Sequence, residues 1–469
     1  MSKNKNELHE ERLATTDSEG HRVYLYPENV KGKWRNLRTY FFWFLIIFYL
    51  VLPWIYFNGE QVLLFDLPAR KFHFFGHIFY GHDAPILSLL LFAFIFLMGL
   101  ITSLYGRAWC GWACPQTVFI DAIYSKIERI IEGGARQRKK LSLQKWDLEK
   151  FFKKGLKWIL FLLVSLHISH SFLGYFVGTH KLLSISMSPP TEHMDLFITM
   201  LFLTGLFLFD FGWFREQFCI IACPYGRFQS VMMDEDSLVV AYKEQRGEPR
   251  RGTDPEKEGD CINCYHCVKV CPTGIDIRRG TQLECISCTN CIDACDEIMI
   301  KVGKPTGLVG YTTESKLKGK EPRKIRIRPL IYATAIVVVS VLFVTSLLNS
   351  FNLKATFVRA SKTPFQQVTL SDKSEGVLNF YKLRIDYKDN DHRLAKIEFL
   401  NPVDNQKIEI KTSKNPIELK DTQKKTNIFF RFPTTILKNG NRKVTVLFRD
   451  TSDNTILLKK EINLVGPIK

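Results

Sequence analysis

The last 174 residues contain no cysteine; all 12 cysteines fall between Cys110 and Cys295. A disulfide-stapled secreted domain would spread its cysteines through a small fold, so clustered thiols point to metal ligation instead. Also absent are the G-x-x-x-x-G-K-[ST], G-x-G-x-x-G and G-x-S-x-G patterns. Nothing therefore argues for ATP, NAD or flavin. A signal peptide is not evident either. The first apolar run follows a polar tail, residues 1–39, without a short basic leader or a small-residue cleavage site. It reads as a retained span.

Acidic residues are outnumbered, 47 Asp and Glu against 65 Lys and Arg, a formal charge of +18. Nucleic-acid binding would need that charge on one face of a folded domain. Here the basic residues lie in loops between apolar runs, so no nucleic-acid partner is expected. What is abundant is apolar length. Stretches near 40–57, 84–105, 156–178, 195–214 and 329–349 approach the ~20 residues that cross a bilayer. A buried soluble helix is the blander reading of the third and fourth. Lys31, Lys33, Arg35 and Arg38 precede the first run, and Arg136, Arg138, Lys139 and Lys140 follow the second. The loops after the first and third hold only Arg70, Lys71 and Lys181. The excess of positive charge predicts a cytoplasmic N-terminus and an outer C-terminus. Asp210 is the one acid inside a span. Structural pairing near Arg107 or Arg215 is expected for it, with a proton-relay role as the alternative.

The expected organisation is a tail (1–39), a four-span membrane domain (40–224), a cytoplasmic region (225–328), a fifth helix (329–349) and an outer domain (350–469). In the last of these, "KLRIDY", "AKIEFL", "QKIEIK", "IFFRF" and "KVTVLFR" alternate apolar with polar residues, and "KDND", "KNGN" and "DTSDN" punctuate them. That pattern predicts a β-sandwich.

Residues 258–300 carry C-x2-C-x2-C-x3-C twice. Three thiolates from one tight loop reach three corners of a [4Fe–4S] cube, and the fourth cysteine of such a run serves the other cluster. Crossed ligation is therefore expected: Cys261, Cys264, Cys267 and Cys295 at one cluster, Cys285, Cys288, Cys291 and Cys271 at the second. A zinc site would use four ligands in C-x2-C pairs. Pro272 follows Cys271, but Asp296 stands where a second proline is usual. The other four cysteines form a repeat, "CGWACP" from Cys110 to Pro115 and "CIIACP" from Cys219 to Pro224, with Phe119 and Phe228 five residues after each second cysteine. The i, i+4 spacing puts each pair on one helix face, and the proline marks a boundary. Two such helix ends make a four-thiolate pocket suited to Cu(I), zinc or an iron–sulfur cluster; plain buried cysteines are the blander reading. His167, His170, His180, His193, His73, His77 and His82 fit interfacial hydrogen bonding more readily than haem or copper ligation.

This ordered combination resembles the FixG/CcoG (RdxA) family of cytochrome c oxidase accessory proteins, which are membrane polyferredoxins. The resemblance covers nearly the whole chain. It implies an oxidoreductase that reduces Cu(II) to Cu(I) for the copper centre of a cbb-type oxidase in the bacterial cell membrane. It also implies oxidase assembly factors as partners and an immunoglobulin-like fold for residues 350–469. The spacing and softness of Cys110, Cys114, Cys219 and Cys223, next to the ferredoxin module, make them the expected copper ligands. A NapH-like quinol dehydrogenase shares the paired C-x3-C-P elements and the two-cluster module, but on four spans. A non-catalytic assembly scaffold is the third reading. The electron donor is not written in the sequence.

Overall fold

The computed structural model describes residues 15, 19, 21–57, 59–80, 83–253, 258–323, 325–348, 353–360, 363–369, 375–387, 393–401, 404, 407–412, 415–419 and 423–467. His82 and the "KDND" turn lie outside them. The chain divides into two compact units, Met1–Val344 and Thr345–Lys469.

Five helices of the described residues are long and apolar enough to cross a membrane: Lys33–Trp54, Ala84–Tyr105, Leu148–Val177, Met194–Phe214 and Ile327–Leu348. The second shows why. Its 22 residues carry no charge and start with Pro85 in the first turn, which gives ~33 Å of helix at 1.5 Å per residue. Its Leu91, Phe92 and Phe94 are exposed, as they would be against lipid. The first and third helices begin seven to eight residues earlier than their apolar runs suggest. The extra turns carry Arg35, Arg38 and Lys154, and each finds a carboxylate partner.

The four-span region has a centre that the apolar runs do not reveal. After the first C-x3-C-P, residues 115–132 run as helix with a π-turn over Ile120–Tyr124 and press among the spans. Val118, Phe119, Ile120 and Tyr124 form one buried cluster with Phe42 and Ile46 of the first span, Phe161 and Ile168 of the third and Phe211 of the fourth. The Tyr124 hydroxyl sits 2.7 Å from Ser165 Oγ. Below this cluster, Glu128 bridges Arg138 (3.3 Å), Lys157 (3.4 Å) and Arg215 (3.0 Å), and Glu132 bridges Lys154 and Lys157, each at 2.9 Å. Burial alone would push the Glu128 carboxyl up. The three cations outweigh it and hold the group at about 2. The fifth helix packs on the second where Gly99 leaves room for the Tyr332 ring.

In the second unit, nine strands of the described residues form two antiparallel sheets. They are β1 (Leu353–Arg359), β2 (Gln366–Thr369), β3 (Glu375–Tyr387), β4 (Arg393–Phe399), β5 (Glu409–Thr412), β6 (Ile417–Leu419), β7 (Gln423–Pro433), β8 (Asn441–Asp450) and β9 (Ile456–Val465). One sheet has the order β5-β7-β3-β1, with β2 also on β3; the other runs β6-β4-β8-β9. Alternation sets the faces: Ala395, Ile397 and Phe399 of β4 are buried while Lys396 and Glu398 are not. Leu383 and Ile385 from one sheet and Ile397, Val446 and Phe448 from the other belong to a single core.

Candidate iron–sulfur and thiolate sites

The two C-x2-C-x2-C loops share a backbone conformation. Asn263 and Tyr265 flank the middle cysteine of the first loop with φ of 59° and 58°; Ser287 and Thr289 flank that of the second with 52° and 64°. Left-handed φ is rare for such residues and for an aromatic one is strained. Strain of this kind persists where surrounding structure over-determines it, typically at a functional site. In both loops the left-handed residue after the middle cysteine starts a helix, His266–Lys269 or Asn290–Lys301. The missing second proline has a consequence. Pro272 follows the end of the first helix, whereas Asp296 lets the second continue to Lys301 and accepts a hydrogen bond from Gly307 N at 2.7 Å.

The cysteines are distributed across the two motifs. One cavity is lined by Cys261, Cys264, Cys267 and Cys295, with Tyr242, Leu308 and Val309 around them. A second is lined by Cys271, Cys285, Cys288 and Cys291, with Val240, Ile275 and Ile277; Cys267 borders it too. Cys264 is exposed, and the remaining seven are buried or half-buried. Burial pushes the thiols of Cys267, Cys285 and Cys295 up to about 12 and that of Cys271 to about 11. Such groups become thiolates by giving their protons up to metal. Among the described residues no three His, Cys, Asp or Glu converge on a point that would hold one metal ion. A cubane does not ask for that, because each thiolate takes a different iron.

The two C-x3-C-P elements mirror each other. Cys114 and Cys223 are extended, with ψ of 125° and 112°, and each caps a helix whose first residue is proline, Pro115 or Pro224. The residue before proline is driven out of the helical region, so the second cysteine is turned away from the first helix. Cys110 lies in the short helix Ala108–Trp112 and Cys219 in the turn Phe218–Ala222. The four thiols are close enough to perturb one another: Cys110, Cys114 and Cys223 all act on Cys219. They are neighbours, yet no three of them are gathered around one ion position. The Cys110 Sγ donates instead to Gln229 Oε1 at 3.5 Å, and burial pushes its thiol up to about 12.

The ferredoxin module is fastened to this pocket. Arg107, just before the first pair, donates to Leu283 O, to Cys285 O at 3.5 Å and to Gly226 O at 3.1 Å, so it touches the second iron–sulfur loop and the second C-x3-C-P element together. Arg38 donates to Cys288 O at 2.8 Å. Asp293 accepts from Trp34 N and Arg35 N at 3.2 and 2.6 Å.

Asp210 pairs differently from expectation. Gln116 Nε2 donates to it at 2.9 Å. The Arg215 side chain is drawn to Glu128 and that of Arg107 to backbone carbonyls, so neither guanidinium reaches the carboxylate, though Arg215 N donates to Asp210 O at 2.6 Å. The histidines scatter: His170 meets Ser186 at 3.1 Å, His180 packs 4.7 Å from the Tyr56 ring, and His73 lies 3.5 Å from Glu60. Sequence reasoning missed Arg107, Arg38 and Gly111 as contacts of the second loop. The glycine inside C-G-W-A-C was the available signal.

Residues 214–314 match a 4Fe-4S dicluster domain and residues 85–133 a 4Fe-4S binding domain. Protein RdxB of Cereibacter sphaeroides is 39% identical over 81% of this chain and 82% of its own. Protein RdxA of the same organism is 37% identical over 78% and 79%. Nitrogen fixation protein FixG of Rhizobium meliloti is 37% identical over 62% and 57%. The cysteine loops, the five apolar helices and these matches define an iron–sulfur electron-transfer protein of the membrane. The chain belongs to the FixG/CcoG family.

Proposed function

We propose that the chain binds two [4Fe–4S] clusters in crossed ligation and serves Cu(II) reduction at the four-thiolate pocket. Cys261, Cys264, Cys267 and Cys295 would hold one cluster and Cys271, Cys285, Cys288 and Cys291 the other, as the two cysteine-lined cavities support. Bound there, the clusters supply one-electron carriers. The chain's own residues do the rest. Arg107, Arg38 and Asp293 fix the second loop against the membrane domain, and Cys110, Cys114, Cys219 and Cys223 take the metal substrate. One electron converts Cu(II) to Cu(I), which soft thiolates prefer. The observation that carries this reading is that the second iron–sulfur loop lies directly on the C-x3-C helix.

In this reading the N-terminus is cytoplasmic and the C-terminal unit is outside the bacterial inner membrane. That unit is an immunoglobulin-like domain that meets factors assembling a cbb-type oxidase. A second reading has one specific support. Residues 85–133 match a 4Fe-4S binding domain and contain only Cys110 and Cys114 as cysteines, so the pocket would hold a third cluster. Anaerobically purified, reduced protein tests the function. Cu(II) should reoxidise it quickly and a quinone analogue should not; the reverse result would make it a quinol-linked enzyme.

A further inference from the structure

A cavity of about 80 Å³ lies beside Cys219, between the N-terminal segment, the start of the first span, the helix after the first C-x3-C-P and the iron–sulfur module. Arg35, Arg38, Arg129, Arg138 and Arg215 line it, against the carboxylates of Glu28, Asp121 and Glu216. Five cations meet three acids in the wall and Glu128 just outside it, and burial pushes the Glu216 carboxyl up. Arg35 and Arg38 share Asp121, while Arg138 and Arg215 share Glu128. Arg129 has no carboxylate within bridging distance among the described residues; it donates to Asn29 Oδ1 at 2.7 Å and Ser125 O at 3.0 Å. Arg38 Nε, Arg138 Nε and Arg215 Nη2 are buried without a hydrogen-bond partner among the described residues. An unmatched, half-buried guanidinium and orphaned buried guanidinium donors both favour an anionic acceptor in the cavity.

We propose that this cavity is a binding site for a phosphate-type oxyanion. An oxyanion offers acceptors to several guanidinium forks at once, the geometry for which arginine is best suited. The cavity has room for a group of a few heavy atoms, since about 10–15 Å³ of such space already holds one water. Its wall includes Pro272, Thr273 and Ile286 of the iron–sulfur module, and the Thr273 hydroxyl lies 3.4 Å from Cys271 Sγ. The oxyanion thus fastens the module to the membrane domain beside Cys219. It could be free phosphate or the headgroup of an anionic phospholipid. The proposal does not depend on copper, and its test uses neither metal as a readout.

Full-length, delipidated protein in detergent is unfolded thermally in inorganic phosphate, in phosphatidic acid micelles and in chloride at equal ionic strength. Ligand binding to the folded state raises the midpoint with concentration. Phosphate, phosphatidic acid or both should raise it above chloride; which of them does so identifies the source. Arg129→Gln should weaken the effective ligand about tenfold, the worth of one charge-assisted hydrogen bond. Arg136→Gln, at an exposed position, should leave the shift unchanged. Should Arg129→Gln not fold, equilibrium dialysis of the wild type with labelled phosphate or phosphatidic acid should show saturation near one per chain. No shift with either ligand, an equal shift in Arg129→Gln, or no saturable binding in dialysis would overturn the proposal.

Discussion

A side chain on Gly111 would begin 2.5 Å from the carbonyl oxygen of Ile286 and 2.7 Å from that of Ser287. Gly111 follows Cys110, and Ile286 follows Cys285. The absence of one Cβ therefore lets the first thiolate helix lie on the backbone of the second iron–sulfur loop. Both neighbours are backbone, so neither can swing aside. Gly111→Val should force the two surfaces apart at about 1–3 kcal/mol of overpacking. Iron content should stay at the wild-type level while Cu(II) reduction falls several-fold. Lost iron would give Gly111 a role in building the loop rather than in docking it.

Crossed ligation is tested by pairing substitutions. A chain with two [4Fe–4S] clusters carries about eight iron atoms. Cys271→Ser with Cys285→Ser should lose no more iron than Cys285→Ser alone. Cys271→Ser with Cys264→Ser should deplete both clusters. If that second pair lost no more than Cys264→Ser alone, each motif would serve its own cluster.

Acid should loosen the centre of the four-span region. Burial raises the carboxyl of Asp121, but Arg38 and Arg35 hold it down at about 2, as the cations around Glu128 do there. A depressed folded-state value stabilises the fold above the ordinary carboxylate range. That stability is lost as pH falls from that range toward about 2. Glu128→Gln should flatten this dependence and lower stability at neutral pH by about 3–5 kcal/mol, because buried Arg138 and Arg215 lose their carboxylate while Lys157 keeps Glu132. The check is thermal unfolding against pH in detergent; an unchanged slope in the variant would mean that Glu128 does not carry the effect.

The proposed orientation, N-terminus cytoplasmic and C-terminus outside, rests on the basic loops between the apolar helices. A reporter fused after Lys469 should be active only outside the cell membrane. Activity inside would require a different number of spans.

Apolar length made the five helices legible, and cysteine spacing made both thiolate sets legible. What pattern could not show was anything held by long-range pairing. Arg35 and Arg38 read as loop charges, yet they extend the first helix because Asp121 and the Cys288 carbonyl lie in reach. Lys154 extends the third in the same way through Glu132. Residues 115–132 are too short and too charged to read as a span. Their apolar side, Val118 to Tyr124, becomes core only because three spans close around it. Asp210 was legible as an oddity, while its partner, Gln116, carries no charge to suggest the pairing.

The central claim is that Cys110, Cys114, Cys219 and Cys223 form the site where the metal substrate is reduced, distinct from the eight iron ligands. Iron and copper content and Cu(II) reduction should therefore be measured together on anaerobically purified Cys110→Ser, Cys114→Ser double mutant. The account predicts wild-type iron, no bound copper and no Cu(II) reduction. Wild-type reduction would move the copper site elsewhere, and a loss of iron would assign the four thiols to a further cluster.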